Sequence, residues 1–464
     1  MDSDERLHRT SNPFRQAWAA AALAALLAAG GLTMLFSCKE DVHSEAVLYV
    51  GNVLTLDDQF IITAWTTSGM QFPNPAYDKA VIFPPYSTLR AQILERGNPP
   101  RVVTAGITVE YRILGNTFTY GKRSYGQFWD NFASLFPAIT PPPQDKGMNL
   151  VDPGVNNGLS GTMLLKGNLY QADGIPVMPV LDDGSWNPYQ VAEITAKGPG
   201  DIVIAQTQVT VPVSDEILCS KCHGNDPFAD VLAKHDARQG TTLALSGPVL
   251  CASCHASPIL GQKARINNVT FLSEAIHRFH ADKSAECYDC HPGDVTRMSR
   301  SREHSNVNHV KKGCENDRCH RTMKEMATNI TKNGRIPWQD EPPCEDCHGQ
   351  IKDANTHDVL FKDGLGHGEL GCPSCHQAFH GEVPSLQAPD NYQAIQYQTR
   401  NIPLASCAVC HDRSKGQSPF AHYEKEHGGP DPKTPTACMV CHTGFKSDDF
   451  DKWPHGFRWR DRSW

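Results

Sequence analysis

Between Cys38 and Cys219 the chain has no cysteine, and between His43 and His223 it has no histidine. That stretch therefore lacks the nitrogen and sulfur ligands that hold zinc, iron–sulfur clusters or haem. No Gly-x-Gly-x-x-Gly follows a strand-like run, which excludes a dinucleotide-binding loop. The second half is short of something else. From Glu216 to Trp464, Val, Ile, Leu and Phe number 40 in 249 residues, about 16%, below the ~20% at which a chain struggles to bury a core. Positive charge is also in deficit. The 43 Lys and Arg against 51 Asp and Glu leave a formal charge of −8, which argues against nucleic acid as a partner. It suits docking with basic proteins or cationic metal species.

What the second half does have is one phrase repeated. Cys-x-x-Cys-His occurs seven times. The copies are Cys219, Cys222 and His223; Cys251, Cys254 and His255; Cys287, Cys290 and His291; Cys344, Cys347 and His348; Cys372, Cys375 and His376; Cys407, Cys410 and His411; and Cys438, Cys441 and His442. An eighth copy, fourth in chain order, is two residues longer: Cys314, Cys319 and His320. Together they take 16 of the 17 cysteines. A zinc half-site, a thioredoxin-like pair or a disulfide framework would need no histidine directly after the second cysteine. Covalent attachment of c-type haem does: two sulfurs hold the porphyrin edge, and the histidine supplies the proximal iron ligand. The expected cofactors are eight c-type haems, with these eight histidines as proximal ligands. The first cysteines of successive motifs recur at uneven intervals, an irregular repeat that predicts a quasi-linear array. With so few apolar side chains, the porphyrins are expected to serve as the core.

Eleven further histidines lie in the same half: His235, His277, His280, His304, His309, His357, His367, His380, His422, His427 and His455. Eight of these eleven would cap every iron as distal ligands. His380 and His455 are candidates for a neighbouring unit's haem. Met298, Met323, Met326 and Met439 show no matching repeat, so bis-histidine ligation and comparatively low potentials are expected. Helical spacing is read over Phe228–His235 and Ser273–Phe279, with Ser273 as N-cap.

At the N-terminus Arg6, Arg9 and Arg15 precede a 20-residue apolar run, Ala17–Phe36, followed by Ser37 and Cys38. The run is long enough to span a membrane. With small residues and Cys38 after it, it resembles a bacterial lipoprotein signal. That resemblance implies lipidation of Cys38 and, with Lys39 next, sorting to the outer membrane. An uncleaved anchor or ordinary signal is the alternative, and both require export. From about Ser44 to Ser214, short alternating or β-branched runs are read as strands: Ala46–Val50, Phe60–Trp65, Gly106–Ile113, Gly161–Leu165 and Asp201–Val211. An antiparallel β-sandwich-like domain is expected here, with Pro137 and Pro141–Pro143 in an irregular insertion. The aromatic stretch Tyr120–Phe136 is either core or a partner-binding face. The expected organisation is a signal segment 1–37, a haem-free β-rich domain 38–215 and an octahaem cytochrome c domain 216–464. The fold class is mixed, the last domain being short helices and loops packed around eight haems.

From Cys219 to His442 the chain resembles multihaem c-type cytochromes of the octahaem kind, and with Cys38 the outer-surface lipoprotein cytochromes of metal-reducing bacteria. The phrases Val249–His255, Cys287–Gly293 and Cys372–His380 carry that likeness. It implies transfer of respiratory electrons at or beyond the outer membrane. The acceptors would be extracellular metal oxide, an electrode or other multihaem cytochromes, with the membrane reached through the lipid anchor. The site implied is the cell surface or beyond, or the periplasmic face. An electron-transfer protein has no catalytic residues, and none are assigned. Two alternatives stay open. One is an octahaem reductase of nitrite, hydroxylamine or a sulfur oxyanion with one open iron, although no Cys-x-x-Cys-Lys motif is present. The other is a subunit of an extracellular filament, a homopolymer of this chain.

Overall fold

The computed structural model describes residues 59–123, 125–305, 314, 320–332, 336–337 and 359–412. The Ala17–Phe36 run, Cys38 and the expected strand Ala46–Val50 lie outside them. Among the described residues no helix is long and apolar enough to cross a membrane. The class is mixed, with antiparallel sheets and short helices.

Ten of the strands occupy the first half: β1 (Phe60–Thr66), β2 (Ala80–Val81), β3 (Ser87–Glu95), β4 (Arg101–Val102), β5 (Thr108–Ile113), β6 (Ser160–Thr162), β7 (Leu164–Lys166), β8 (Leu169–Ile175), β9 (Tyr189–Lys197) and β10 (Val203–Pro212). One antiparallel sheet runs β1-β3-β8-β7 with β4 on the end of β3, and the other runs β10-β9-β5-β6. Inward side chains of both, among them Ile62, Leu89 and Ile93 from the first and Tyr111, Ile194 and Val209 from the second, form one apolar cluster. β5 alternates between open and buried positions as a half-covered strand should. The run expected over Gly161–Leu165 breaks into β6 and β7 at Met163, whose side chain is buried.

The Tyr120–Phe136 stretch resolves as core. It forms two short helices, α1 (Gly126–Asp130) and α2 (Phe132–Leu135), and Tyr125, Phe128, Phe132 and Phe136 are buried with Tyr77, Met148 and Met178. The Phe128 ring meets Trp129, Phe132 and Tyr77 edge-on at 5.1, 5.4 and 5.5 Å, the favoured aromatic geometry.

The later helices are α3 (Ser220–His223), α4 (Pro227–Gln239), α5 (Leu272–His280), α6 (Arg302–Ser305), α7 (Met323–Lys332), α8 (Cys372–His376) and α9 (Tyr392–Gln398). A two-residue strand β11 (Val249–Leu250) pairs parallel with β2. α4 starts where its sequence says it should: Asp226 accepts from the Ala229 amide, Pro227 takes the first turn, and Gly240 ends it at φ 67°. Ser273 is not the N-cap of α5. The cap position is Phe271, and the Ser273 hydroxyl lies inside the first turn, 3.2 Å from His277 Nδ1. Apolar clusters here are small, as in Ala256, Phe271 and Ile330.

β1 and β3 are buried on both faces, and the second face is covered by later segments. Ile61 and Leu94 pack with Leu370, Tyr397 and Val409. Thr63 Oγ1 donates to Ser374 Oγ at 3.1 Å, Arg90 Nη1 pairs with Asp363 at 2.7 Å, and the Gln92 carbonyl accepts from the Gly371 amide at 2.9 Å. Arg96 Nη2 donates to Ala408 O at 2.8 Å. Gly371 lets the chain pass close to β1: a Cβ there would lie 3.1 Å from the Trp65 ring, a tight contact. Two-sided burial explains why Phe60–Trp65 reads as a continuous apolar run rather than an alternating one.

One ion pair is buried at this junction. Arg300 and Asp390 are 1% and 4% exposed and meet at 2.6 Å; Arg300 Nη1 also donates to Gly69 O at 2.6 Å. Removing one partner strands a buried charge, so Arg300→Met is expected to destabilise by about 3–5 kcal/mol. Adding Asp390→Leu should recover most of that loss. Denaturant midpoints of the single and double variants check both expectations.

Candidate functional site

Each regular motif in the described region closes as one helical turn. The amides of His223, His255, His291 and His411 donate to the carbonyls of Cys219, Cys251, Cys287 and Cys407 at 2.9, 3.0, 2.9 and 2.8 Å, and Cys372–His376 is α8 itself. Positions i, i+3 and i+4 of a turn share one face. Two sulfurs and an imidazole are thereby presented together. In the first two motifs Cys219, Cys222, Cys251 and Cys254 form no disulfide. Burial pushes the Cys251, Cys290 and Cys375 thiols up to about 11 and Cys410 to about 12.

The motif histidines are met by histidines from elsewhere. Ring centres are 6.4 Å apart for His223 and His280, 6.3 Å for His235 and His255, and 6.1 Å for His277 and His291. They are 5.9 Å apart for His320 and His380 and 6.2 Å for His367 and His411. Aromatic packing alone allows anything from ~4.5 to 7 Å. Two imidazoles bound to opposite sides of one metal by bonds of ~2 Å would have centres about 6.4 Å apart. The five spacings cluster near that value while the interplanar angles run from 13° to 86°. Rotation about a shared metal axis leaves that angle free.

Hydrogen bonds orient the rings. Nδ1 of His223 donates to Asp230 Oδ2 at 2.7 Å, of His255 to Thr270 O at 2.9 Å, and of His411 to Asn98 Oδ1 at 3.1 Å. His277 and His280 donate to the carbonyls one turn back, Ser273 and Ile276, at 2.7 and 2.8 Å. His235 donates to Thr241 Oγ1 at 3.0 Å, and that hydroxyl is turned toward Asp236. In all six the tautomer leaves Nε2 as a lone pair for a metal. Burial, with His277, His320 and His380 nearby, pushes His291 down to about 4. Burial also lowers His380.

These rings meet in pairs. Among the described residues no three or more His, Cys, Asp or Glu converge as a lone metal ion would need. Two axial imidazoles complete an iron when a planar macrocycle supplies the other four positions, and two adjacent sulfurs fit its edge. The residues present therefore fit a c-type haem. His376 has the Phe361 ring at 6.3 Å, and His304 Nδ1 lies 3.5 Å from Glu382.

Part of the expected ligand set is not brought into view. Cys319 of the fourth motif lies outside the described residues, as do Cys344, Cys347 and His348 of the fifth and Cys438, Cys441 and His442 of the eighth. The same holds for the candidate distal ligands His309, His357, His422, His427 and His455.

Sequence reasoning missed the supporting residues. Asn98 and Phe72, whose ring centre is 5.2 Å from His291, come from the β-rich half, where no ligand chemistry was sought. Asp230 sits seven residues after His223 on the facing side of α4, a signal visible only once that helix is placed.

Compared with protein-family models, curated proteins and solved structures, the chain has no match.

Glu216 fastens the first motif to the third. Its carboxylate accepts from the amides of Gly293, Val295 and Thr296 and from the Thr296 hydroxyl. Burial alone would raise this carboxyl; the Thr296 and Gly293–Asp294 donors outweigh it and hold it below the usual range. A lowered folded pKa contributes stability above about 4.3 that is lost as pH falls through the folded value. The stability gap between wild type and Glu216→Gln should thus be full at pH 7 and shrink below about pH 4. Unfolding midpoints across pH 3–7 measure it.

Proposed function

We propose that this chain is an electron-transfer protein carrying c-type haems at its eight Cys/Cys/His motifs. The single observation that carries this reading is the set of five imidazole pairs, each joining a motif histidine to one of the candidate distal ligands at a metal-spanning distance. On this reading the two sheets act as a sandwich-like support, and the sparse second half packs around its porphyrins. A bound haem supplies a one-electron Fe(III)/Fe(II) couple. The chain's residues do the rest. The motif sulfurs would hold each porphyrin edge, the five facing imidazole pairs would ligate five of the irons from both sides, and the Nδ1 acceptors would set the tautomer of those rings. At those five sites no position would be left for a substrate, which supports relay over reduction of nitrite, hydroxylamine or sulfur oxyanions.

Donor and acceptor are other multihaem cytochromes or an extracellular metal oxide or electrode, reached from the outer membrane through Cys38. That part of the proposal rests on the sequence of the signal segment and on the acidic balance of the chain.

Intact mass with the optical and EPR spectra of the oxidised protein tests it. Eight haems, all low-spin, are expected in the wild type. High-spin signal from one haem would replace the relay with an enzyme having an open iron. His280→Ala should convert one haem in eight to high-spin and leave the others unchanged.

A second expectation concerns Asp230. It is the one carboxylate among the six Nδ1 acceptors described, held ionised chiefly by Lys234 and then by His223. A carboxylate acceptor on the His223 ring would favour the ferric state of an iron bound there. Asp230→Asn should raise one potential, by ~59 mV for each tenfold change in relative affinity, as read by spectroelectrochemical titration.

A further inference from the structure

The segments that hold the imidazole pairs are shared between motifs, and the sharing sets an order. α4 carries Asp230, bonded to His223 of the first motif, and one turn on His235, opposite His255 of the second. α5 carries His280, opposite His223 of the first, and His277, opposite His291 of the third. The first and third motifs are also tied directly: Leu218 N donates to Asp289 O at 3.0 Å, and Lys221 pairs with Asp289 at 2.8 Å. Nine residues after His291 of the third motif, the Arg300 amide donates to His380 O at 2.7 Å, and His380 faces His320 of the fourth. His380, opposite His320 of the fourth, follows His376 of the sixth by four residues, and Val383 N donates back to His376 O at 3.0 Å. His367, opposite His411 of the seventh, precedes Cys372 of the sixth by five residues, and Leu404 N donates to Cys375 O at 3.1 Å.

We propose that the haem sites are spatially ordered second, first, third, fourth, sixth, seventh, so that the first site, not the second, is the neighbour of the third. The fifth and eighth motifs lie outside the described residues and are not placed. The proposal rests on the haem reading above. It follows from helix geometry. His277 and His280 are three residues apart, so their Cβ atoms are ~5–6 Å apart and diverge by roughly 60° around α5. An imidazole reaches about 5.5 Å from its Cβ to a bound metal, so the two irons would lie within ~18 Å of each other. Each exchange along the path oxidises one iron as its neighbour is reduced. An electron entering at the second site passes through the first before the third.

The test is a structure of the full-length, haem-loaded protein, with iron positions located by anomalous scattering and intact mass measured on the same sample. The expected result is a first-motif iron flanked by the second- and third-motif irons, within ~18 Å of the latter. An array in sequence order, with the second-motif iron between the other two, overturns the proposal. So does an array in which His277 and His280 face one iron. A sample without haem overturns the underlying reading instead, and the mass measurement tells the two failures apart.

Discussion

In the described part of the second half, five motif histidines each face a second histidine with ring centres 5.9–6.4 Å apart, and six of these rings are oriented through Nδ1. That spacing is too long for a direct hydrogen bond between the two rings. It is kept without a large apolar core by short hydrogen-bonded pieces. One-turn helices present each Cys/Cys/His set, and the facing histidines ride on α4, α5 and the loops around α8. The Nδ1 bonds to Asp230, Thr270, Asn98 and helix carbonyls do two things at once. They stop the rings from rotating, and they assign the proton so that the inward nitrogen is the basic one.

The β-rich half is what makes those short pieces a structure. β1 and β3 give one face to the inter-sheet core and the other to the segments bearing the sixth and seventh motifs. The outward residues Thr63, Arg90, Gln92 and Arg96 each bond one of those segments. A sheet is stiff, so registering both motifs on it sets their separation more firmly than a loop could. Asn98 extends the same support to a ligand, because its amide fixes the His411 ring. The buried Arg300–Asp390 pair works from the other side. The Arg300 amide donates to His380 O at 2.7 Å while its side chain reaches Gly69 in the β-rich half.

The strands legible in the sequence are those whose residues are mainly apolar or β-branched, as in β1, or alternate because one face is open, as in β5. β5 alternates and was legible. β3, β8 and β9 were not recognised, because polar residues such as Arg90, Gln92, Gln171 and Glu193 sit at covered positions and blur the alternation; their hydrogen-bond partners lie far along the chain. The N-cap placed at Ser273 failed for a related reason. A serine at the head of a helical pattern is a good cap by local rules, but here packing starts the helix two residues earlier and turns the hydroxyl to His277.

By itself the sequence determined the motifs, the presentation of two sulfurs and an imidazole on one face, and the pool of histidines from which partners are drawn. Those features depend on residues within four positions of each other, the range over which backbone hydrogen bonding dictates direction. Only the tertiary structure decided which histidine meets which. His223 and His280 are 57 residues apart with one motif between them, and His320 and His380 are 60 apart with two. Two histidines three residues apart on α5 go to different motifs. Their assignment is set by the rotation of one helix against its neighbours, which packing fixes and local sequence does not.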